Sequence, residues 1–221
     1  NNLIWLVFLF LVPTLLGMLL AVLLDRELRG GRIYQSIFYM PVVLSLGLVG
    51  FIWQLIYSQD QGLLNTFLGA TTGAAPVDWF GDPDINLYAV LVAAAWRHTG
   101  YIMLLYLAGL KAVDPSLREA AAIDGAGPVR TFTSVVFPAL RPINLVVLVV
   151  TVIDALRAFD IVWIINRGRN GLELISALVT ANVIGEASRV GFGSALAVIM
   201  LAFSLVFILV YVSTLLRGAD R

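Results

Sequence analysis

The stretch that decides the fold is 117–138, which reads LREAAAIDGAGPVRTFTSVVFP and lies between two long apolar runs. Asp114 is placed to N-cap a helix whose first residue is Pro115. The sequence from Gly125 to Pro128, GAGP, should stop this helix, and Pro128 can begin another. A few polar residues suffice to connect two membrane spans, so this longer pair of short helices predicts a docking surface for a separate protein.

Small and apolar side chains recur at helical spacing in both short helices. In the first helix one face carries Leu117, Ala120 and Ala121. In the second helix one face carries Val129, Phe132 and Val136. Small side chains allow the backbone of a partner to approach closely, which favours the docking interpretation.

The composition is that of an integral membrane protein. Of 221 residues, 60% are hydrophobic and 13% are charged, whereas about a quarter of the residues of a soluble domain are charged. The formal net charge of zero gives no basic surface for nucleic acid. With no cysteine and with His98 as the single histidine, thiolate chemistry and multi-histidine metal sites are excluded. No P-loop, HExxH or GxSxG pattern is present, so no catalytic residue is predicted.

Five apolar runs are long enough to cross about 30 Å of hydrocarbon as helices. They are 3–24, 34–57, 87–110, 143–165 and 192–216. Pro13 and Pro41 lie within these runs, and membrane helices tolerate the kinks that proline introduces. With neither an internal repeat nor a low-complexity linker, the sequence predicts an all-α integral membrane protein with a single domain, 1–221, and five transmembrane helices.

The basic residues predict the orientation of these spans. One side carries nine: Arg26, Arg29, Arg32, Lys111, Arg118, Arg130, Arg141, Arg217 and Arg221. The other side carries three: Arg167, Arg169 and Arg189. The loop 111–142 and the C-terminus are therefore predicted to be cytoplasmic, and residue 1 external.

The motif Glu119-Ala-Ala, followed by Gly125 and by Val-x-Phe-Pro ending at Pro138, resembles the EAA loop of binding-protein-dependent ABC importer permeases. The usual ending is Ile-x-Leu-Pro, so Val135 and Phe137 depart mildly from it. The flanking LAGL and IDGA sequences, which end at residues 110 and 126, resemble the carbohydrate branch and its maltose-type permeases. The resemblance runs from about Val77 to the C-terminus and more loosely over the first two spans.

This resemblance implies a multi-pass subunit of a bacterial or archaeal cytoplasmic membrane that imports a small-molecule sugar. It implies a second homologous permease, two ATP-binding subunits that carry the ATP and Mg²⁺, an extracytoplasmic solute-binding protein, and lipid around the spans. It also implies a sixth helix before residue 1 and identifies 111–142, hereafter the coupling loop, as the contact with the ATPase. The implied contact residues are Glu119, Ala120, Ala121, Asp124 and Gly125.

Charged and polar residues also lie deep within the third and fourth runs, where they are costly and indicate function. Arg97, His98 and Asp154 are near mid-membrane, with Arg157 one turn on and Asp160 beyond. A structural Arg97–Asp154 pair between adjacent helices is an equally good interpretation. The resemblance implies that the sugar pathway includes Arg97, His98, Tyr101, Thr151 and Asp154.

Three alternatives remain open at the level of the sequence. An ATP-independent secondary transporter or channel would use Arg97, His98 and Asp154 as an ion or proton relay. An ABC importer of a glycerol-phosphate-type solute would differ in substrate only, and a membrane scaffold would transport nothing.

The two external loops also allow two interpretations each. The loop 58–86 contains aspartates and aromatic residues but no Lys or Arg, which suits either an interfacial anchor or a docking surface for a binding protein. The segment from Arg167 to Gly171, RGRNG, suits a turn that glycine permits. The resemblance implies a loop that reaches toward the binding protein, although related permeases often have Thr-x-Gly-Gly-Pro here.

Overall fold

The computed structural model is entirely helical over the part of the chain that it describes. It describes residues 1–26, 30–73, 75–184 and 189–219, and leaves out the side chains at 70–72, 207, 208 and 210–219. Arg29 and Arg221, which contribute to the predicted orientation, lie outside the described residues, as does the side chain of Arg217. No strand occurs in the described ranges, so the predicted all-α fold is confirmed.

Twelve α-helices and one π-helical turn, Phe132–Val136, make up the described chain. The α-helices are α1 (Asn2–Asp25), α2 (Gly31–Val43), α3 (Leu46–Ile56), α4 (Leu63–Thr72), α5 (Asn86–Ala112), α6 (Pro115–Ile123), α7 (Pro128–Thr131), α8 (Phe137–Ala139), α9 (Arg141–Leu156), α10 (Asp160–Asn166), α11 (Ile175–Val183) and α12 (Val190–Ala219). Both α1 and α5 are long and apolar enough to cross a membrane, and α2 with α3 would make a third span if the bent pair is counted as one.

The second predicted span, 34–57, is not one helix, because α2 and α3 meet at an angle of 101°. Pro41 lies near the end of α2, and the two residues after α2 are extended. The second of them, Ser45, caps α3 by accepting a hydrogen bond from the Leu48 N–H at 3.2 Å. A proline followed at short distance by an N-cap residue therefore ends one helix and begins another.

The fourth predicted span, 143–165, is also interrupted, between α9 and α10. The backbone leaves helical geometry at Phe159, whose φ is −128°. The Ser176 hydroxyl donates a hydrogen bond to the Ala158 carbonyl oxygen, which supplies a partner that the broken helix no longer provides. The two helix breaks have the same physical basis. At each break, a side chain makes a hydrogen bond in place of a backbone hydrogen bond that an unbroken helix would make.

The core follows the contact between α1 and α5, the most extensive helix pair in the described chain. One buried cluster contains Trp5 and Leu9 of α1, and a second contains Ala21 and Leu24. Between them the helices touch at Gly17, where an added Cβ would lie 2.8 Å from Ile102 Cγ2 and 2.9 Å from the Met103 backbone nitrogen. Glycine is required there because the two backbones approach so closely.

The connecting segments gather at two ends of the helix pair. At one end the Asn1 side chain donates to the Gly171 carbonyl oxygen at 2.9 Å, and the Asn86 side chain donates to that of Asn170 at 2.8 Å. There RGRNG forms the predicted turn, with left-handed φ values at Arg167, Gly168, Asn170 and Gly171. At the other end the Arg118 guanidinium lies 2.9 Å from the Asp25 carboxylate, so the coupling loop lies beside the end of α1.

Candidate functional site

The coupling loop is built from local capping interactions, as the sequence predicts. The Asp114 side chain accepts a hydrogen bond from the Ser116 N–H at 2.9 Å, which holds the pKa of that carboxyl below its usual range. Pro115 is the first residue of α6, and Asp124 follows its last turn. Gly125 then adopts the left-handed conformation with a φ of 75°, and Pro128 begins α7.

Four of the five predicted coupling residues are exposed on this short helix and its turn. They are Glu119, Ala120, Asp124 and Gly125. The fifth, Ala121, is buried against the rest of the chain at 7% exposure, so it is not on the outer face with Leu117 and Ala120. The helix thus presents one face outward and uses Ala121 to pack on its own subunit.

Two large apolar side chains extend this exposed surface. Ile123 is 86% exposed and Val129 is 78% exposed. The sequence placed Val129 on an apolar face with Phe132 and Val136, but only Val136 is buried and Phe132 is partly buried. Exposed branched side chains on both sides of a tight turn form an apolar knob, which we define as Ile123 and Val129.

Long-range ionic contacts tie the coupling loop to the transmembrane helices. The Arg118 guanidinium donates to the Asp25 carboxylate at 2.9 Å and to the Leu110 carbonyl oxygen at 3.3 Å. The Lys111 ammonium lies 4.0 Å from the same carboxylate. Asp25, whose side chain is 14% exposed, is therefore the point where the end of α1, the end of α5 and the start of α6 meet.

A second candidate region is a cavity of about 320 Å³ beside the two helix breaks. We call it the polar cavity because five polar side chains line it: Arg97, His98, Asp154, Arg157 and Asp160. Trp5, Leu9, Phe159 and Ile161 contribute apolar and aromatic walls. The sequence did not indicate these walls, because Trp5 and Leu9 look like ordinary residues of an apolar span.

Three of the predicted pathway residues form one connected group at the polar cavity. His98 is buried at 5% exposure, and its Nε2 lies 3.0 Å from the Thr151 hydroxyl oxygen. Its Nδ1 lies 3.7 Å from an oxygen of Asp154, whose side chain is 48% exposed. His98 thus joins α5 to α9, and the Asp154 carboxylate remains accessible to a solute in the cavity.

The Arg97–Asp154 ion pair, which the sequence left open as an alternative, is not among the ion pairs of the described residues. The Arg97 guanidinium instead donates, over 3.4–3.5 Å, to the carbonyl oxygens of Leu44 and Val42 at the break between α2 and α3. Carbonyl groups freed by a break need partners wherever water is excluded. Arg97 therefore supports the bent helix pair while it also lines the polar cavity.

The remaining predicted pathway residue, Tyr101, lies next to this group. Its ring is partly buried, with a centroid 6.2 Å from that of His98. It does not line the polar cavity itself. The structure therefore brings Arg97, His98 and Asp154 to one cavity, places Thr151 behind His98, and leaves Tyr101 beside them.

Comparison with known proteins identifies the chain's relatives. Residues 13–216 match the model of the family described as "Binding-protein-dependent transport system inner membrane component". The trehalose/maltose transport system permease protein MalF of Thermococcus litoralis is 34% identical over 200 residues, which cover 90% of this chain and 68% of that protein. The xylose/arabinose import permease protein XacH of Haloferax volcanii is 35% identical over 182 residues, which cover 81% of this chain and 57% of that protein.

Solved structures show the same fold. The crystal structure of a bacterial ABC transporter involved in the import of the acidic polysaccharide alginate includes a chain that superimposes with a TM-score of 0.86. At 21% sequence identity, the superposition covers 98% of this chain and 77% of that one. Since the family model spans most of the sequence and two relatives exceed 30% identity, the chain belongs to the binding-protein-dependent transport system inner membrane component family.

Proposed function

We propose that this chain is a permease subunit of an ABC importer that carries a sugar across the cytoplasmic membrane. A second, homologous permease completes the pathway, and a solute-binding protein delivers the sugar from outside. Two ATPase subunits bind the ATP and Mg²⁺, each gripping one coupling loop. The chain itself has no covalent chemistry to perform, since transport needs only contacts that differ between two conformations.

The observation that carries this proposal is the outward face of α6. Glu119 and Ala120 are exposed there, Gly125 is exposed in the turn that follows, and the two apolar-knob residues are exposed on either side of that turn. Exposed large apolar side chains on a polar loop are typical of a protein–protein contact. Glu119 supplies a charge for a basic residue on the partner, and the small residues allow its surface to approach.

The substrate assignment rests on the polar cavity and on the names of the relatives. The relatives named above are permeases for trehalose and maltose and for xylose and arabinose. Asp154 is able to accept hydrogen bonds from sugar hydroxyl groups, and Tyr101 is suited to stack on a sugar face. His98, which bonds to Thr151, lies 3.7 Å from Asp154, and Arg97 donates to the backbone at the adjacent bend.

The proposed orientation has the coupling loop and the C-terminus in the cytoplasm. The nine basic residues on the coupling-loop side, against three on the other, support it. The positions of the connecting segments also fit this orientation. Arg118 of the coupling loop contacts Asp25 at one end of the helix pair, and Gly171 of the RGRNG turn contacts Asn1 at the other end. The acidic loop 58–86 then faces outward, where it is available to the binding protein.

The test is Glu119→Gln in the assembled transporter, with Glu173→Gln as its matched control. Both carboxylates are exposed, but Glu173 lies at the opposite end of the molecule. We expect Glu119→Gln to lower ATP-dependent sugar uptake about tenfold, since a hydrogen bond to a charged group contributes about 1.5–3 kcal/mol. Normal uptake by Glu119→Gln, or the absence of ATPase subunits from the purified wild-type complex, would contradict the proposal.

A phosphorylated glycerol is the second candidate substrate. Two guanidinium groups, those of Arg97 and Arg157, line the polar cavity, and arginine forms strong paired hydrogen bonds with phosphate. Competition separates the two substrates, because glycerol phosphate inhibits uptake of a neutral sugar only if the importer binds it. Membership of an importer family disfavours both the ion-driven transporter and the scaffold.

A further inference from the structure

The contact between Asp25 and Arg118 joins residues 93 positions apart, unlike the capping bonds of the coupling loop. Its 2.9 Å hydrogen bond links the last residue of α1 to the first turn of α6. The same guanidinium also holds the Leu110 carbonyl oxygen near the end of α5. One side chain therefore contacts both long helices of the core.

α6 buries little of its own surface. Of its nine residues, all of them described, Ala121 is the one that is buried. A helix with a single buried alanine is able to tilt or slide on its support at small cost, since an alanine buries little apolar area. The remaining support of α6 is the π-helical turn, whose Val136 packs with Ala21 and Leu24, so the ion pair is the direct polar link from α6 to α1.

The far end of α1 forms a wall of the polar cavity. Trp5 and Leu9 lie there, and from Leu9 to Asp25 the helix rises about 24 Å at about 1.5 Å per residue. α1 and α5 make the most extensive helix contact in the described chain, and at Gly17 they lie so close that an added Cβ would clash with Ile102, so we expect them to move together. The α1–α5 body then has one end at Asp25 and the other at the cavity.

We infer that the Asp25–Arg118 ion pair is the strut that transmits movement of α6 to the α1–α5 body and so to the polar cavity. This inference rests on the proposed function, since it requires a motor that pulls on α6. Asp25 and Arg118 are positioning residues, because neither touches the solute. Without the pair, ATP hydrolysis would still move α6, but α1 would follow it poorly.

The test compares Asp25→Asn and Arg118→Gln with the wild type in the fully assembled transporter. We expect sugar transported per ATP hydrolysed to fall about fivefold, at the lower end of ordinary coupling between sites. ATPase activity and ATPase-subunit binding should persist, because the outward face of α6 is unchanged. The control is Lys111→Gln, whose 62%-exposed side chain only reaches 4.0 Å from Asp25, and we expect wild-type coupling.

The reversed pair, Asp25→Arg with Arg118→Asp, separates transmission from mere loss of charge. Recovery of the transport-to-hydrolysis ratio supports the strut, whereas a reversed pair that assembles and stays uncoupled overturns it. Wild-type ratios in both single variants also overturn it. The proposed function stands or falls separately, on whether Glu119→Gln disrupts transport.

A chemical bridge covers the case in which single substitutions prevent assembly. The sequence contains no cysteine, so Asp25→Cys with Arg118→Cys offers one defined pair to a bifunctional thiol reagent. Restored coupling after bridging supports the strut, and equal coupling with and without the bridge overturns it.

Discussion

The outward face of α6 and the polar cavity treat their polar groups in opposite ways. On α6 the Glu119 carboxylate is exposed, and the structure records no hydrogen bond or ion pair to it within the described chain. At the cavity, His98 contacts both Thr151 and Asp154, and Arg97 contacts the broken backbone of α2. An exposed loop leaves such groups available to another protein, whereas His98 and Arg97 find partners within the chain.

The two regions also differ in how they are held. The coupling loop is organised by bonds between near neighbours, such as Asp114 with Ser116. The cavity is assembled from residues far apart in sequence, including Trp5, Arg97 and Phe159. A substitution at a locally bonded loop residue such as Asp114 should therefore act locally, and one at the cavity should act on the stability of the whole bundle.

The largest expected effect comes from Gly17→Val, which acts on the link between the two regions. A side chain there would meet Ile102 and the Met103 backbone, so α1 and α5 would have to separate. We expect a loss of about 1–3 kcal/mol in the free energy of unfolding, the usual cost of overpacking. Thermal unfolding of the purified protein in detergent measures this loss.

The control for Gly17 is Gly191→Ala in α12, where an added Cβ meets nothing within 4 Å. It should be neutral or stabilising by about 0.5–1 kcal/mol, because alanine is the better helix former. Equal destabilisation by both substitutions would show that close packing of α1 on α5 is not what Gly17 provides.

The next effect concerns the turn after α6, where Gly125→Val is compared with Gly127→Val. Neither added side chain meets an atom within 4 Å, but Gly125 has a φ of 75° and Gly127 a φ of −68°. A left-handed conformation costs a non-glycine residue about 1–2 kcal/mol, so we expect Gly125→Val to lower sugar-stimulated ATPase activity and uptake about tenfold.

Gly127 precedes Pro128 and already has the extended backbone that such a position favours, so valine fits there without strain. Equal losses from both variants would indicate that bulk at the docking surface matters and the left-handed turn does not. Normal activity in both variants would show that Gly125 is not part of the proposed contact.

A third comparison makes one substitution in each region: Thr151→Val at the cavity and Thr133→Val in the coupling loop. The Thr151 hydroxyl is fully buried and bonds to buried His98, whereas exposed Thr133 donates to the Val129 carbonyl oxygen of its own turn. We expect Thr151→Val to cost about 1 kcal/mol or somewhat more, because it leaves a buried imidazole nitrogen without a partner.

Thr133→Val should change the free energy of unfolding little, since water replaces its hydrogen bond and the β-branched shape is kept. Unfolding in detergent again measures both. If the two variants were destabilised equally, the contrast between the buried His98–Thr151 bond and the exposed coupling loop would not hold.

The coupling loop was the more predictable of the two regions, because its conformation depends on adjacent residues. Asp114, Pro115, Gly125 and Pro128 act as the sequence predicts, each through its own backbone geometry or a bond to a near neighbour. The burial of Ala121 could not be predicted this way, since it depends on what lies beneath α6.

The cavity was predictable only as a set of polar positions within apolar runs. His98 and Asp154 do meet, but Arg97 turns to the α2–α3 break, which the sequence treated as the middle of one span. The signal for that break was Ser45 as an N-cap shortly after Pro41. The sequence around Asp25 and Arg118 does not predict their contact, because the contact depends on how two distant segments pack.

The smallest expected effect is the pH dependence of α6, tested with Asp114→Asn. The Ser116 N–H lowers the pKa of the folded Asp114 carboxyl, so the ionised cap contributes its full stabilisation above the pKa of the unfolded chain. That contribution is lost as the pH falls through the lowered, folded value. An asparagine cap also accepts the hydrogen bond but does not titrate.

Hydrogen exchange of the backbone amides of α6 measures the effect in the intact protein. Once each observed rate is divided by the intrinsic exchange rate at that pH, the protection of the α6 amides should fall on acidification in the wild type, and Asp114→Asn should flatten that dependence. Asp124→Asn is the control, since no hydrogen bond to the Asp124 side chain is recorded in this fully described loop, and it should keep the wild-type profile. An unaltered pH profile in Asp114→Asn would show that the order of α6 comes from contacts beneath it, such as those of Ala121 and Arg118. The coupling loop would then resemble the cavity, because both would depend on distant residues.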